Sequence, residues 1–309
     1  MKKKYKYLFG PVPSRRLGLS LGVDLVPHKI CSMNCIFCQL GNTARTTIER
    51  REYVPTEDVL AEISDWQAQG GQTDVITLSG GGEPTLHSRF GEVIDFVKAK
   101  TRHRTVILSN GSLLHLPEVR RDAARADIFK ITLASWDEDS FRKIHRPPAE
   151  VTFARIIEGA CALRNEFTGE IWLEVFVIPG INAEPEKIRK IAGFAEKIRP
   201  DKIHLNTAVR PAAEKTVQPV PAAALQNLTG LFNPPAEVIA SFAPGSGHRI
   251  ELHEESVLAL VRLHPCTAEN IARMCKITPA EAAEFLDSMM ARDIIRREEH
   301  DGTVWYVVN

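Results

Sequence analysis

The chain has 309 residues, with 39 Lys and Arg against 39 Asp and Glu, so its formal net charge is zero. That balance supplies no bulk field for a polyanion or an anionic membrane surface. A content of 44% hydrophobic and 25% charged residues is that of a globular chain, and with neither a signal-peptide pattern nor a membrane-length apolar run the expectation is a cytoplasmic protein with no membrane partner. Residues 19–26 read as a strand that leads into a cysteine-bearing loop. Residues 56–69 read as a helix with Thr56 at the N-cap and Glu57 and Asp58 in its first turn. A buried strand follows at 74–79, then a helix over 89–100 with Phe90, Val93, Ile94 and Val97 on one face. Strands at 105–109, 127–133, 170–178 and 202–209 alternate with helices at 116–124, 137–144, 153–165 and 185–198. Six such strand–helix units predict parallel strands with right-handed crossovers. Six are too few to close an eight-stranded barrel, so the expected fold class is α/β, a partial (βα)6 barrel over residues 1–212.

Residues 213–250 read as a linker with a short helix near 222–232. A different unit is expected over 251–309. It has helices at 254–263, 267–274 and 279–292, the second capped by Thr267 and the third by Thr278 with Pro279 at N1. Strands at 294–297 and 303–308 flank an Asp301–Gly302 turn. That order is the winged-helix pattern. Its third helix carries Glu281, Glu284 and Asp287, which repel phosphate, so DNA is not the expected partner.

The chemistry is concentrated in Cys31-Ser-Met-Asn-Cys35-Ile-Phe-Cys38. A C-x3-C-x2-C triplet can ligate three irons of a [4Fe–4S] cluster and leave the fourth iron open. A structural zinc site, the bland alternative, usually takes four ligands in C-x2-C pairs, and no second pair follows. Ser79-Gly-Gly-Gly-Glu-Pro-Thr85 follows the second strand and Ser109-Asn110-Gly111 the third. In a parallel barrel, residues after strands share one rim. Lys130, Thr132 and Ala134 alternate with apolar residues and give the fourth strand a polar face toward the lumen. Lys130 and Glu174 are contact candidates, each weighed against a paired structural role. Asn206 and Arg210 close the sixth strand. Arg15 and Arg16 could bind an anion, with a solvated pair as the simpler reading. Cys161, Cys266 and Cys275 read as small buried apolar residues in helices.

The triplet with its Phe37, together with Gly81-Gly82-Glu83-Pro84 and the six βα units, resembles the radical S-adenosylmethionine (SAM) superfamily. Pro11-Val-Pro-Ser-Arg-Arg-Leu-Gly18 and Phe141-Arg-Lys-Ile-His-Arg-Pro147 look closer to the branch that includes the wyosine-base tRNA-modifying synthases. Those enzymes carry a second cluster on extra N-terminal cysteines, and no cysteine precedes Cys31 here. The resemblance implies that Cys31, Cys35 and Cys38 hold a [4Fe–4S] cluster whose open iron chelates SAM. It implies a methionine-ammonium site around Gly81, Gly82 and Glu83, a place for Phe37 near adenine, and ribose or carboxylate contacts from Asn110 and Ser135, with Glu174 a further candidate. Lys130 and Arg210 are the candidates for a catalytic contact. The implied reaction is reductive cleavage of SAM to a 5′-deoxyadenosyl radical and hydrogen abstraction from a substrate, an RNA base or a peptide or protein. A low-potential donor such as flavodoxin or ferredoxin would supply the electron. The rival reading is a non-catalytic iron–sulfur sensor acting through the winged helix.

Overall fold

The computed structural model describes residues 5–239, 252–263, 265–300 and 302–309. In chain order the elements are β1 (Leu8–Ser14), β2 (Gly18–Val23), β3 (Ile30–Cys31), β4 (Arg45–Thr46), α1 (Thr56–Ala68), β5 (Val75–Leu78), α2 (Phe90–Lys100), β6 (Arg104–Ser109), α3 (Pro117–Ala123), β7 (Ile128–Leu133), α4 (Glu138–His145), α5 (Phe153–Glu166), β8 (Glu170–Phe176), α6 (Pro185–Ile198), β9 (Lys202–Asn206), α7 (Ala222–Gln226), β10 (Glu237–Val238), α8 (Glu254–Leu263), α9 (Ala268–Cys275), α10 (Pro279–Met290), β11 (Ile295–His300) and β12 (Thr303–Val308).

Eight strands form one sheet in the order β1-β2-β5-β6-β7-β8-β9-β10. β1 runs antiparallel to β2, and every other neighbour is parallel. The six anticipated parallel strands are all present. β1 and β10 are additions, and among the described residues they are the two edges of the sheet, which stays open. β1 escapes sequence reading because Gly10, Pro11 and Pro13 interrupt any alternation, and its pairing with β2 shifts register between Phe9 and Val12. β10 has only two residues, yet it pairs with His204 and Leu205 of β9. The segment read as linker therefore includes a strand, and Val220, Leu225, Leu228 and Phe232 pack into the main core.

Alternation sorts the strand side chains. Leu21, Val23, Ile76, Leu78, Ile107, Phe129, Ile131, Leu133, Leu173, Val175, Ile203 and Leu205 face outward into the core beneath the helices. The opposite face lines the lumen. At the strands' N-terminal ends Leu17, Val75, Val106, Ile128 and Trp172 form a separate buried apolar plug.

Local departures have local causes. Thr56 is the first helical residue and not the cap. Pro55 takes the cap position, and Glu52 Oε1 accepts the Thr56 amide at 2.7 Å. The anticipated helix over 222–232 is α7 followed by a short 3-10 turn at Thr229–Leu231. β8 and β9 end earlier than their apolar runs. There the Asn182 side chain supplies bonds to Ile178 N, Ala134 O and Phe176 O, replacing a continued ladder. Cys161 is half-buried, and Cys266 is not helical but pairs in extended form with Tyr306.

The last three helices and the hairpin β11–β12 share a second core around Val257, Leu260, Ile271, Leu286, Met289 and Tyr306. Thr267 and Thr278 both form reciprocal capping boxes, with Asn270 and Glu281. β11 runs on to His300, longer than expected; Asp301 of the anticipated turn, and residues 240–251 at the junction, lie outside the described residues. α8 packs against β1, and Val12 of β1 joins this second core. No helix among the described residues is long and apolar enough to cross a membrane.

Candidate functional site

The cysteine loop is clamped by the C-terminal end of α4. A helix leaves its last carbonyls without intrahelical partners. Two of them are taken by the loop, Ile144 O by Ile36 N at 3.0 Å and His145 O by Asn34 N at 2.9 Å. Between those clamps Cys35 Sγ lies 3.2 Å from His145 Nδ1. Cys31 Sγ accepts from Asn110 Nδ2 at 3.6 Å, and the Ser32 and Met33 amides also point at it. The Leu40 amide serves Cys38 in the same way. Phe37 stacks on Phe176 with centroids 4.2 Å apart and meets His145 edge-on.

Burial pushes the Cys31 thiol up to about 12, with the nearby Glu83 charge adding to the effect. Burial, and then the charges of the other two cysteines, hold Cys35 well above the ordinary thiol value. Iron reverses that bias, since a bound metal deprotonates its thiol ligands. N–H donors aimed at sulfur are the surroundings that stabilise and tune a thiolate-bound cluster. A [4Fe–4S] cluster distributes its cysteines over separate irons, and among the described residues no three His, Cys, Asp or Glu side chains close on a single ion position. Three sulfurs on one short loop with amide donors fit the cluster. Burial holds His145 neutral, down to about 3.

The Gly80–Glu83 loop leans on the cysteine loop and its approach. Lys29 N donates to Gly81 O at 2.6 Å and Glu83 N to Ile30 O at 3.3 Å. A Cβ on Gly82 would sit 1.7 Å from Ile30 O, and one on Gly81 2.8 Å from His28 Cα. The glycines are thus required first for two loops to interlock, a reason the sequence did not reveal. Gly82→Ala forces these backbones apart and should cost at least about 3 kcal/mol in urea unfolding; a variant as stable as the parent would mean the loops separate freely.

Asp24 was not anticipated. Its carboxylate accepts from Gly81 N at 2.9 Å, and burial raises its pKa to about 6. With a folded value above the unfolded one, its stabilising contribution is complete below about pH 4 and is lost as the pH rises through 6. Asp24→Asn keeps the acceptor without the charge. It should therefore gain on the order of 1–3 kcal/mol at pH 8, and most of that gain should vanish near pH 4. Denaturant melts at the two pH values check this; an equal difference at both would remove Asp24 as its source.

Glu83 is buried and its carboxylate is fully engaged. Oε1 accepts from Thr85 N at 3.1 Å, Thr85 Oγ1 at 2.6 Å and Ser109 Oγ at 2.8 Å, and Oε2 from Asn110 N at 2.8 Å. It ties the loop after β5 to the loop after β6. Asn110 in turn reaches Ser32 Oγ at 2.9 Å and Cys31. The loops after β2, β5 and β6 thus form one hydrogen-bonded rim. Ser135, just past β7, is completely buried, and its Oγ has no partner among the described residues. An orphaned hydroxyl of this kind marks a place where a ligand would bond.

Lys130 and Glu174, read separately in sequence, meet in the lumen. Lys130 Nζ is 3.4 Å from Glu174 Oε1 and 3.1 Å from Thr132 Oγ1. Arg16 pairs with Glu174 Oε2. Arg15 donates to Asn206 Oδ1 at 3.1 Å and Ile239 O at 2.6 Å. Neither arginine is solvated, contrary to the simpler sequence reading, because the β1–β2 turn tucks both inward across the open side of the sheet. Arg210 bonds to Gln39 Oε1 of the cysteine loop at 3.2 Å and lies close enough to Cys266 for electrostatic interaction. His145, His204 and Asp24 belong to this neighbourhood and were missed, whereas Ser109 lies on the rim as expected. His145 lies in the quoted 141–147 segment, yet no ligand spacing identified it as a partner of Cys35.

Comparison with known proteins agrees with this geometry. A family model described as "Radical SAM superfamily" matches residues 25–192, more than half of the chain. "UPF0026 protein MJ1312" of Methanocaldococcus jannaschii is 31% identical over 308 residues, covering 97% of this chain and 95% of that protein. "GTPase Obg" of Brachyspira hyodysenteriae is 32% identical over all of this chain, which spans only 46% of that longer protein. Among solved structures, a radical SAM methyltransferase from Sphaerobacter thermophilus superposes with a TM-score of 0.57 at 15% identity, over 72% of this chain and 67% of that one. TYW1 with a lysine-pyruvate adduct bound gives a TM-score of 0.52 at 19% identity, over 70% of this chain and 74% of that one. These two show a common fold. With the family match spanning the three rim loops, the chain belongs to the radical SAM superfamily and is an enzyme of the kind that works with a [4Fe–4S] cluster and SAM.

Proposed function

We propose that Cys31, Cys35 and Cys38 hold the cluster, that SAM lies across the rim between Phe37, Gly81, Gly82, Asn110 and Ser135, and that a substrate in the lumen loses a hydrogen atom. The cluster and SAM together supply reductive cleavage of a carbon–sulfur bond and an oxidising adenosyl group. This chain's residues supply the rest. The Gly82 carbonyl, and the second lone pair of Gly81 O beside its bond from Lys29 N, can accept from the methionine ammonium, while Glu83, already saturated with donors, braces them. Ser135 Oγ offers the unfilled hydrogen bond. The apolar plug of Leu17, Val106, Ile128 and Trp172 excludes water from one end of the lumen. The observation that carries the reading is the bonded rim, in which the glycine loop and Asn110 both hold the cysteine loop. A sensor needs no such methionine cradle, so this rim disfavours the non-catalytic alternative.

The unit from 251 onward reads as a winged helix that serves the barrel or a protein or peptide substrate, with 1–212 as the catalytic domain and 213–250 as the segment between them, whose β10 and apolar side chains pack onto that domain. Arg292, Arg296 and Arg297 are paired internally with Glu254, Glu298 and Asp287. They have no free charge to spend on phosphates, which supports a peptide or protein over RNA or DNA. A flavodoxin or ferredoxin is the fitting electron donor. Anaerobically reconstituted protein given dithionite and SAM should release 5′-deoxyadenosine and methionine. Bulk tRNA in filter binding should be retained no better than an uncharged polymer at low salt. Absence of 5′-deoxyadenosine would overturn the catalytic reading; tight, salt-dependent tRNA retention would overturn the peptide preference.

A further inference from the structure

The lumen holds a polar tier that the cofactors do not explain. Above the plug, the luminal positions of β7, β8 and β9 are Lys130, Thr132, Glu174 and His204, with Glu174 registered against Thr132 on one side and His204 on the other. Arg16 enters the same tier from the β1–β2 turn. Lys130 and Glu174 are each 7% exposed. Two permanent or potential cations thus share one carboxylate. Glu174 has one oxygen turned to each of them and cannot neutralise both. Burial, and then the Arg16 charge, lower the Lys130 pKa well below the ordinary lysine value, which is the signature of a cation short of counter-charge.

A second observation is independent of charge. His204 is 3% exposed, it packs edge-on against Trp172 at 5.3 Å, and its Nδ1 has no hydrogen-bond partner among the described residues. A buried unpaired imidazole nitrogen is costly unless something fills it. The tier is open toward the rim, since Thr132 and Leu108, the penultimate residues of β7 and β6 on luminal positions, remain partly exposed. The tier lies below the rim, because Lys130 sits three residues, roughly 10 Å of strand, before the end of β7, and Ser135 lies past that end.

We propose that this tier is a subsite for a monoanionic carboxylate of the substrate, seated between Arg16, Lys130 and the His204 imidazole. It rests on the radical SAM reading of the rim above it. The charge count selects the monoanion: with Lys130 held protonated by the arriving carboxylate, Arg16 and Lys130 against Glu174 leave one positive charge. The opposite charges of Arg15 and Glu83, which also act on Lys130, offset each other. A carboxylate therefore neutralises the tier, and a dianionic phosphate would overfill it. The guanidinium and ammonium supply charge-assisted donors, and His204, in the tautomer with the proton on Nδ1, supplies a neutral one. The substrate is thereby of a class with a carboxylate near its reacting C–H, as in an amino acid, a peptide terminus or an acidic side chain.

The test is calorimetric titration of the cluster-reconstituted full chain, without oxygen or reductant. SAM is held at saturation, so that its own carboxylate site is filled, and acetate or inorganic phosphate is titrated in with injections spaced long enough for SAM to exchange and let the anion pass. Acetate should bind saturably with a dissociation constant of about 1 mM or tighter, and phosphate at least about tenfold more weakly. Lys130→Met and His204→Phe should each weaken acetate about tenfold or more. Absence of saturable acetate heat below about 20 mM overturns the proposal. So does phosphate binding tighter than acetate, or acetate binding untouched in both variants. If a variant does not fold, the wild-type comparison of the two anions still decides. Failure of SAM itself to bind would strike the rim reading, whereas SAM binding without acetate binding strikes only this subsite.

Discussion

Cys35→Ala should lose the brown cluster and reduce 5′-deoxyadenosine release by at least about 10³-fold, while the chain stays folded. The reason is positional. The loop keeps its shape through Asn34 N and Ile36 N, which bond the α4 carbonyls on either side of Cys35. Removing the thiol therefore deletes a ligand and a small volume, worth about 1 kcal/mol of packing, and leaves the scaffold. Iron analysis, visible absorption and product release by chromatography read the loss. Cys161→Ala on α5, at a half-buried thiol outside the rim, is the control and should keep cluster and turnover. Retained turnover in Cys35→Ala would dissolve the assignment of the triplet.

Glu83→Ala should destabilise the rim strongly and should also weaken SAM binding about tenfold or more. The carboxylate serves four donors, from Thr85, Ser109 and Asn110. Truncation strands at least two of them in a buried site, at a cost of about 3 kcal/mol. The melting temperature should fall by roughly 5 °C or more. Glu83→Gln keeps an acceptor for the Thr85 and Ser109 donors and turns an amide toward Asn110 N, so it should lie between. Cluster loading should survive in both, because α4 still clamps the cysteine loop. Loss of SAM binding with an unchanged melting temperature would instead mean that the side chain touches the cofactor and braces nothing. Differential scanning calorimetry beside SAM titration separates the two.

What the sequence made legible is what local chemistry dictates. The outward apolar positions of six strands, the Pro185–Ile198 helix and the Thr267 and Thr278 caps follow from periodicity and capping alone. The triplet and the glycine loop stand out because their residue types have few other uses. What stayed hidden depends on the fold. Residues 110 positions apart bring His145 to Cys35, and residues 158 apart bring Arg16 to Glu174. No spacing rule reaches that far. The edge strands were missed for a different reason. β1 is broken by Gly and Pro, β10 is two residues long, and neither shows a period before its partner is in place. Glu83 shows the subtler failure: its residue type suggested an open acceptor, and only its neighbours reveal a side chain already occupied.

The stopper of Leu17, Val106, Ile128 and Trp172 has a kinetic corollary. With that end sealed and the open side of the sheet bridged by Arg15 to Asn206 and Ile239, the way in to Lys130 lies past the cysteines. Traffic through a single mouth is a queue, in which the deeper guest enters before the one that covers it and leaves after. Turnover by this chain should then follow a compulsory order of addition, and a cleaved adenosyl fragment lingering at the entrance would trap the product behind it.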